Sequence, residues 1–99
     1  MDLFKMMKNA KNLQENMQKL QAEIEAIRVS GEAGGGMVKV VLNGKGELTG
    51  LDIDPDFLRN SDKTMLEDLI ISAHSLARLE MERQVAQKGQ SAIGQLSAG

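Results

Sequence analysis

Between Leu3 and Ile27 the apolar positions run Leu3, Met6, Ala10, Leu13, Met17, Leu20, Ile24 and Ile27, in steps that alternate three and four without a break. A mean spacing of 3.5 residues is the heptad seam of an α-helix that packs along another helix with a left-handed twist. Neither Gly nor Pro interrupts it. At 1.5 Å per residue the helix reaches roughly 38 Å, long for so small a domain, so part of it is expected to project. "RVSGEAGGG" ends the run, and the period then falls to two: Val38, Val40 and Leu42 share one face of a strand, with Lys39 on the other. "NGKG" has the chemistry of a hairpin turn, and a second strand follows in which Leu51 and Ile53 alternate with Asp52. A third, weaker strand is read in Arg28 to Ala33. Asp54-Pro55-Asp56 closes the sheet as a turn, because Pro fixes φ and cannot donate to a ladder.

The second helix is predicted to begin near "NSDKTMLED". Thr64 and Glu67 have the spacing of a capping box there, and Asp62 or Ser61 is an alternative cap. Met65, Leu66, Leu69, Ile70, Ala73, Leu76 and Ala77 give this helix its apolar face. Beyond Ala77 the stripe thins, with Glu80, Arg83 and Gln87 where it would continue. Gly89 is predicted to stop the helix, leaving one domain over residues 1–88 and a frayed tail over 89–99. The fold class is α+β. The expected core, shared between the chain and a second copy, is Leu13, Met17, Leu20, Ile24, Val38, Val40, Leu42, Leu51, Ile53, Leu69, Ala73 and Leu76.

Composition sharpens that expectation. Only Phe4 and Phe57 are aromatic among 99 residues, 2% of the chain, although aromatics supply much of the buried area of an ordinary small core. A chain that relies on methyl groups and seven methionines instead is expected to complete its core by association. There is no Cys, which removes disulfides and Cys-based metal sites and fits a reducing compartment. "MDLFKMMKNAK" has no uninterrupted apolar run, so it reads as neither signal peptide nor membrane span, and a cytoplasmic location is expected.

Three features invite a chemical reading. The glycines of "GEAGGGMVKVVLNGKGEL" suggest a phosphate cradle, but such a loop needs a strand before it and a helix N-terminus after it. Here a helix precedes and a strand follows, so the glycines read as a joint that permits tight turning or close approach of another backbone. His74, the one histidine, has Ile70, Ile71, Ala77 and Arg78 as its helical neighbours and no nucleophile or carboxylate among them. Asp52, Asp54 and Asp56 lack the later bidentate Glu of a calcium loop, and serve better as strand-end and turn acids. Neither enzyme chemistry nor a cofactor is indicated.

Charge is the more informative signal. The net formal charge is −2, yet residues 1–20 carry Lys5, Lys8, Lys11 and Lys19 against Asp2 and Glu15. With the seam at heptad positions a and d, these lysines fall at c, f, b and c, opposite the seam. Arg78, Arg83 and Lys88 give the outer half of the second helix a slight positive balance over Glu80 and Glu82. Such faces are routinely just solvated; doubled by dimer symmetry, they could also follow duplex phosphates. Without Tyr or Trp, single-strand base stacking is not supported.

The glycine run followed by "VKV", the Gly-x-Gly-Glu hairpin and the "IDP" exit, set between the heptad helix and "LEDLIISAHSLARLEMERQ", resemble the YbaB/EbfC family of bacterial nucleoid-associated proteins over residues 1 to 90. The resemblance implies an α-β-β-β-α subunit and an intertwined homodimer whose long helices project like tweezers. It also implies binding to double-stranded DNA, compaction of the nucleoid and an influence on transcription. Carried onto this chain, the DNA-contacting positions on the projecting helices are Lys5, Lys8, Lys11, Lys19, Arg78, Arg83 and Lys88. The family's genes often lie beside those of a clamp-loader subunit and a recombination protein, which raises an adaptor for replication or repair proteins as one alternative. A prefoldin-like holdase is another, its arm tips made by Leu3, Phe4, Met6 and Met7 and by Val85 and Ala86.

Overall fold

A computed structural model describes the backbone of residues 2–98 and the side chains of residues 2–91. Six elements follow in order: α1 (Leu3–Glu25), β1 (Arg28–Ala33), β2 (Val38–Asn43), β3 (Leu48–Ile53), α2 (Pro55–Asn60) and α3 (Lys63–Ala98). The strands form one antiparallel sheet in the order β1-β2-β3. The expected α-β-β-β-α order is therefore present, with a short helix added before the last one.

The period-two pattern sets the faces of the sheet. Val29 lies opposite Leu42, Gly31 opposite Val40 and Ala33 opposite Val38; on the other side of β2, Val38 meets Ile53 and Val40 meets Leu51. Val38, Val40 and Leu42 are fully buried, and Ile27, Val29, Ala73 and Ala77 complete the core. α3 covers this face over β1 and β2. A bulge at Val41/Leu42 shifts the register so that Leu42 meets Leu48. The opposite face carries Lys39 between Glu32 and Asp52, and Val41 between Ser30 and Gly50.

Glycines do the two jobs expected of them, at different positions. Gly34, Gly35 and Gly36 turn β1 into β2 with φ of +66°, +67° and +91°, a region open to Gly and strained for other residues. Gly31 instead permits contact: a Cβ there would lie 2.2 Å from the Ala73 carbonyl oxygen, so β1 and α3 touch backbone to backbone. Gly44 does the same at the end of α1, where a Cβ would lie 2.0 Å from the Ile24 carbonyl oxygen. Asn43 rigidifies that hairpin: its Oδ1 accepts from the Lys45 and Glu47 amides, each at 3.0 Å, and its amide nitrogen donates to Glu47.

Two local expectations are corrected. Asp54-Pro55-Asp56 opens the helical turn of α2 rather than a plain turn: Asp54 accepts from the Phe57 amide at 2.9 Å, and Pro55 takes the first helical position, where its missing N–H loses nothing. α3 does not stop at Gly89 but runs to Ala98. One glycine costs about 1 kcal/mol relative to Ala in a helix interior, and flanking helix formers such as Ala86, Gln87 and Lys88 offset that. Gly99, the last residue of the expected tail, lies outside the described residues. The start of α3 selects one of the possible caps, Asp62, whose carboxylate accepts from the Met65 amide at 2.7 Å.

Candidate nucleic-acid interface

α1 starts at a firm cap. Asp2 accepts the Phe4 amide through Oδ1 at 3.0 Å and the Met6 amide through its carbonyl at 3.2 Å. The next 23 residues are helical, yet none of them is buried. The helix is held at its C-terminal end, where Ile24 meets Gly44 and a Lys45–Glu25 ion pair of 3.0 Å ties the hairpin to the last turn. That pairing, led by the hydrogen bond to Glu25, raises the Lys45 pKa.

Lys5, Lys8 and Lys11 are exposed on α1 and enter no ion pair among the described residues. After Asp2 the next acid is Glu15, so a stretch of twelve residues carries three lysines and no carboxylate. Successive lysines advance about 4.5 Å along the helix axis, forming an i, i+3 ridge of charge.

The cations of α3 stand in a different environment. Arg78 donates to Glu82 at 3.1 Å, and Arg83 forms a two-pronged pair with Glu80. The Arg83 guanidinium, helped by the Gln84 amide, holds the Glu80 carboxyl down from the ordinary 4.5 to about 2, and the Arg83 pKa is raised in return. Both arginines thus have a carboxylate partner on their own helix. The signal was present in the sequence as i, i+4 and i, i+3 spacings of opposite charge, and weighing net balance alone missed it.

The seven candidate cations do not form one surface. Lys19, Arg83 and Lys88 come together around a cleft of about 600 Å³ between α1 and α3, floored by Leu13, Met17 and Leu20. Lys5, Lys8 and Lys11 lie further out along α1, and Arg78, paired with Glu82, does not line the cleft.

The predicted core also divides. Val38, Val40, Leu42 and Ala73 are buried; Leu20, Ile24, Ile53 and Leu69 are partly so. Leu13, Met17, Leu51 and Leu76 remain 47, 62, 48 and 52% exposed. Leu51 lies on the core face of the sheet but on β3, beyond the reach of α3, and Leu48 beside it is also exposed. No sequence pattern revealed that one helix would cover two strands of the three. Val85, proposed as one tip of a holdase arm, packs against the core instead.

Of the three alternating acids after β2, Asp54 caps α2 and Asp56 pairs with Arg59. His74 is exposed. Among the described residues no cluster of three His, Asp or Glu side chains could hold a metal ion, and no helix is long and apolar enough to cross a membrane.

Comparison with known proteins places this geometry in a family. Residues 1–96 match the model of the YbaB/EbfC DNA-binding family. A nucleoid-associated protein of Methylocella silvestris is 45% identical over 96 residues, covering 97% of this chain and 90% of the relative. A nucleoid-associated protein of Agrobacterium fabrum is 44% identical over 98 residues, covering 99 and 88%. The crystal structure of an uncharacterized protein from Helicobacter pylori superposes with a TM-score of 0.75 at 25% identity, over 94% of this chain and 98% of the other.

Proposed function

The chain belongs to the YbaB/EbfC DNA-binding family, and from that premise we propose that it is a nucleoid-associated protein that binds double-stranded DNA as a homodimer, through the outer faces of its long helices. It is not an enzyme in this reading. It binds with low sequence specificity and acts in the cytoplasm on nucleoid organisation and gene expression.

The observation that carries the reading is the lysine ridge of α1. Three ammonium groups that enter no ion pair among the described residues stand on a helix with no fully buried residue, where they can meet phosphates without breaking such a pair. Lysine is suited to this, since backbone phosphates are contacted as point charges and carry no sequence information directly. Lys19 and Lys88 at the cleft extend the field, while Arg78 and Arg83 contribute less because Glu82 and Glu80 already hold them.

The homodimer is supported by what one chain leaves uncovered. Leu48 and Leu51 on β3, Leu76 on α3, and Leu13 and Met17 on the α1 seam are apolar and exposed. A second copy presents the same surface and buries it by symmetry. The unpaired outer edge of β3 adds a row of backbone donors and acceptors that a partner can satisfy.

Titration of two unrelated duplexes at several salt concentrations tests the whole reading. With about four phosphate contacts per dimer, log affinity falls against log salt with a slope near −3.6, and the two sequences give similar values. Absence of binding at low salt would remove direct DNA contact. Light scattering at the mass of one chain would remove the dimer.

A further inference from the structure

The chain has two aromatic side chains, and they are used in opposite ways. Phe57 packs against the core. Phe4 is 82% exposed, on the first turn of α1. Its position in the heptad explains the difference. The seam of Leu3, Met6, Ala10 and Leu13 is centred about 140° around the helix from Phe4, whereas Met7, Lys8 and Lys11 lie within about 60° of it. A partner helix seated on the seam therefore does not cover the ring. Phe4 stands on the lysine face.

We propose that Phe4, backed by Met7, is an apolar wedge that enters a base step of duplex DNA while Lys8 and Lys11 hold the flanking phosphates. The inference rests on the DNA-binding reading and adds to it the residue that deforms the duplex. Apolar side chains inserted beside basic ones partly unstack a base step and kink the helix axis. The backbone behind the ring is fixed for this, since the Asp2 carboxylate accepts the Phe4 amide at 3.0 Å.

Patch size and charge decide the occupant. A stable protein interface buries about 800 Å² on each partner, and a phenylalanine offers only about 150–250 Å². Phe4 and Met7 are bounded by Lys5, Lys8 and Lys11, with no acid between Leu3 and Gln14. A small apolar point beside three lysines, with Leu3 and Met6 turned to the seam and Asp2 engaged as the helix cap, complements stacked bases between two lines of phosphate. At a pyrimidine–purine step such as TA the deformation is easiest.

The test uses the full chain and a duplex with one central TA step whose adenine is replaced by 2-aminopurine, with a fluorophore pair at the two ends. Binding of the wild type should raise 2-aminopurine emission and shorten the end-to-end distance. It should also favour this duplex about fivefold over one in which the step lies in a stiff A-tract. Phe4→Ala should lose the emission rise, the bend and the preference, yet keep the same salt slope because the lysines remain. Phe4→Leu should retain part of each signal. Phe4→Ala giving wild-type emission and bending would overturn the wedge and leave DNA binding standing. Wild-type protein that fails to bind at low salt would overturn both. Loss of helicity or of dimer mass in Phe4→Ala, unrestored in Phe4→Leu, would make Phe4 a packing residue and also overturn the proposal.

Discussion

The two long helices of this molecule share a heptad-like apolar pattern in the sequence and come to opposite ends in the structure. α3 seats Ala73 and Ala77 on the sheet, buried to zero exposure, and its two arginines are clasped by its own carboxylates. α1 has no fully buried residue, and its lysines enter no ion pair among the described residues. The difference comes from what each helix meets. Ala-sized side chains allow α3 to approach Gly31 backbone to backbone, whereas the larger side chains of the α1 seam face a cleft. One helix supplies the fold and the other presents charge.

That division can be broken deliberately. The largest expected effect is on DNA: changing Lys5, Lys8 and Lys11 together to Glu replaces three attractive charges with three repulsive ones in each subunit. Affinity in low salt should fall at least about a hundredfold, while circular dichroism and dimer mass stay as in the wild type. If the triple variant binds normally, the ridge is only a solvated face.

Next in size is the seat of α3. In Gly31→Ala the new methyl would lie 2.2 Å from the Ala73 carbonyl oxygen and 2.4 Å from the Ala77 nitrogen, both backbone atoms. Overpacking of this kind costs about 1–3 kcal/mol, measurable by urea denaturation. Gly44→Ala, which collides with Ile24, should instead speed amide exchange throughout α1 while protection of β1 and β2 persists. Equal loss of protection in all elements would show the helices to be one cooperative unit and dissolve the comparison.

A smaller effect probes the arginines. Glu80→Gln releases Arg83 from its pair and removes a negative charge, so DNA affinity should rise about twofold to threefold. Arg78→Ala should change it by less than about twofold, since Glu82 already satisfies that guanidinium. A larger loss in Arg78→Ala would move the contact surface onto α3.

The smallest is a titration. The Glu80 pKa is lowered from 4.5 to about 2, first by Arg83 and then by Gln84. A depressed carboxylate favours the folded helix above its unfolded pKa, and that contribution fades as the pH falls from about 4.5 towards 2. Carbon-detected NMR should place the Glu80 midpoint near 2, and Arg83→Ala should return it towards the ordinary range.

Strong periodicities were legible and weak contexts were not. Heptads located α1, alternation located β2 and β3, and even the weak strand at Arg28–Ala33 has the expected bounds. The order of elements and the lysine stripe followed from the residues alone. What escaped was local context within a helix and, for the sheet, which element covers which strand. Arg83 looked available because its charge was counted in the balance rather than paired at its spacing. Leu51 read as ordinary core because alternation names a face and cannot say which helix covers it. Gly89 read as a stop because glycine was weighed without its helical neighbours, and Pro55 read as a turn although Asp54 before it is a good helix cap.

The contact between Gly44 and Ile24 has a mechanical meaning. A rod of 23 residues, about 34 Å long, seated on the hairpin through a glycine and touching α3 beside it is a lever whose fulcrum is that glycine. Tilting it by about 10° carries its far end about 6 Å, which matches the width of a minor groove. A side chain at position 44 would collide with the Ile24 backbone, so the seat of the whole rod depends on the smallest residue in the hairpin.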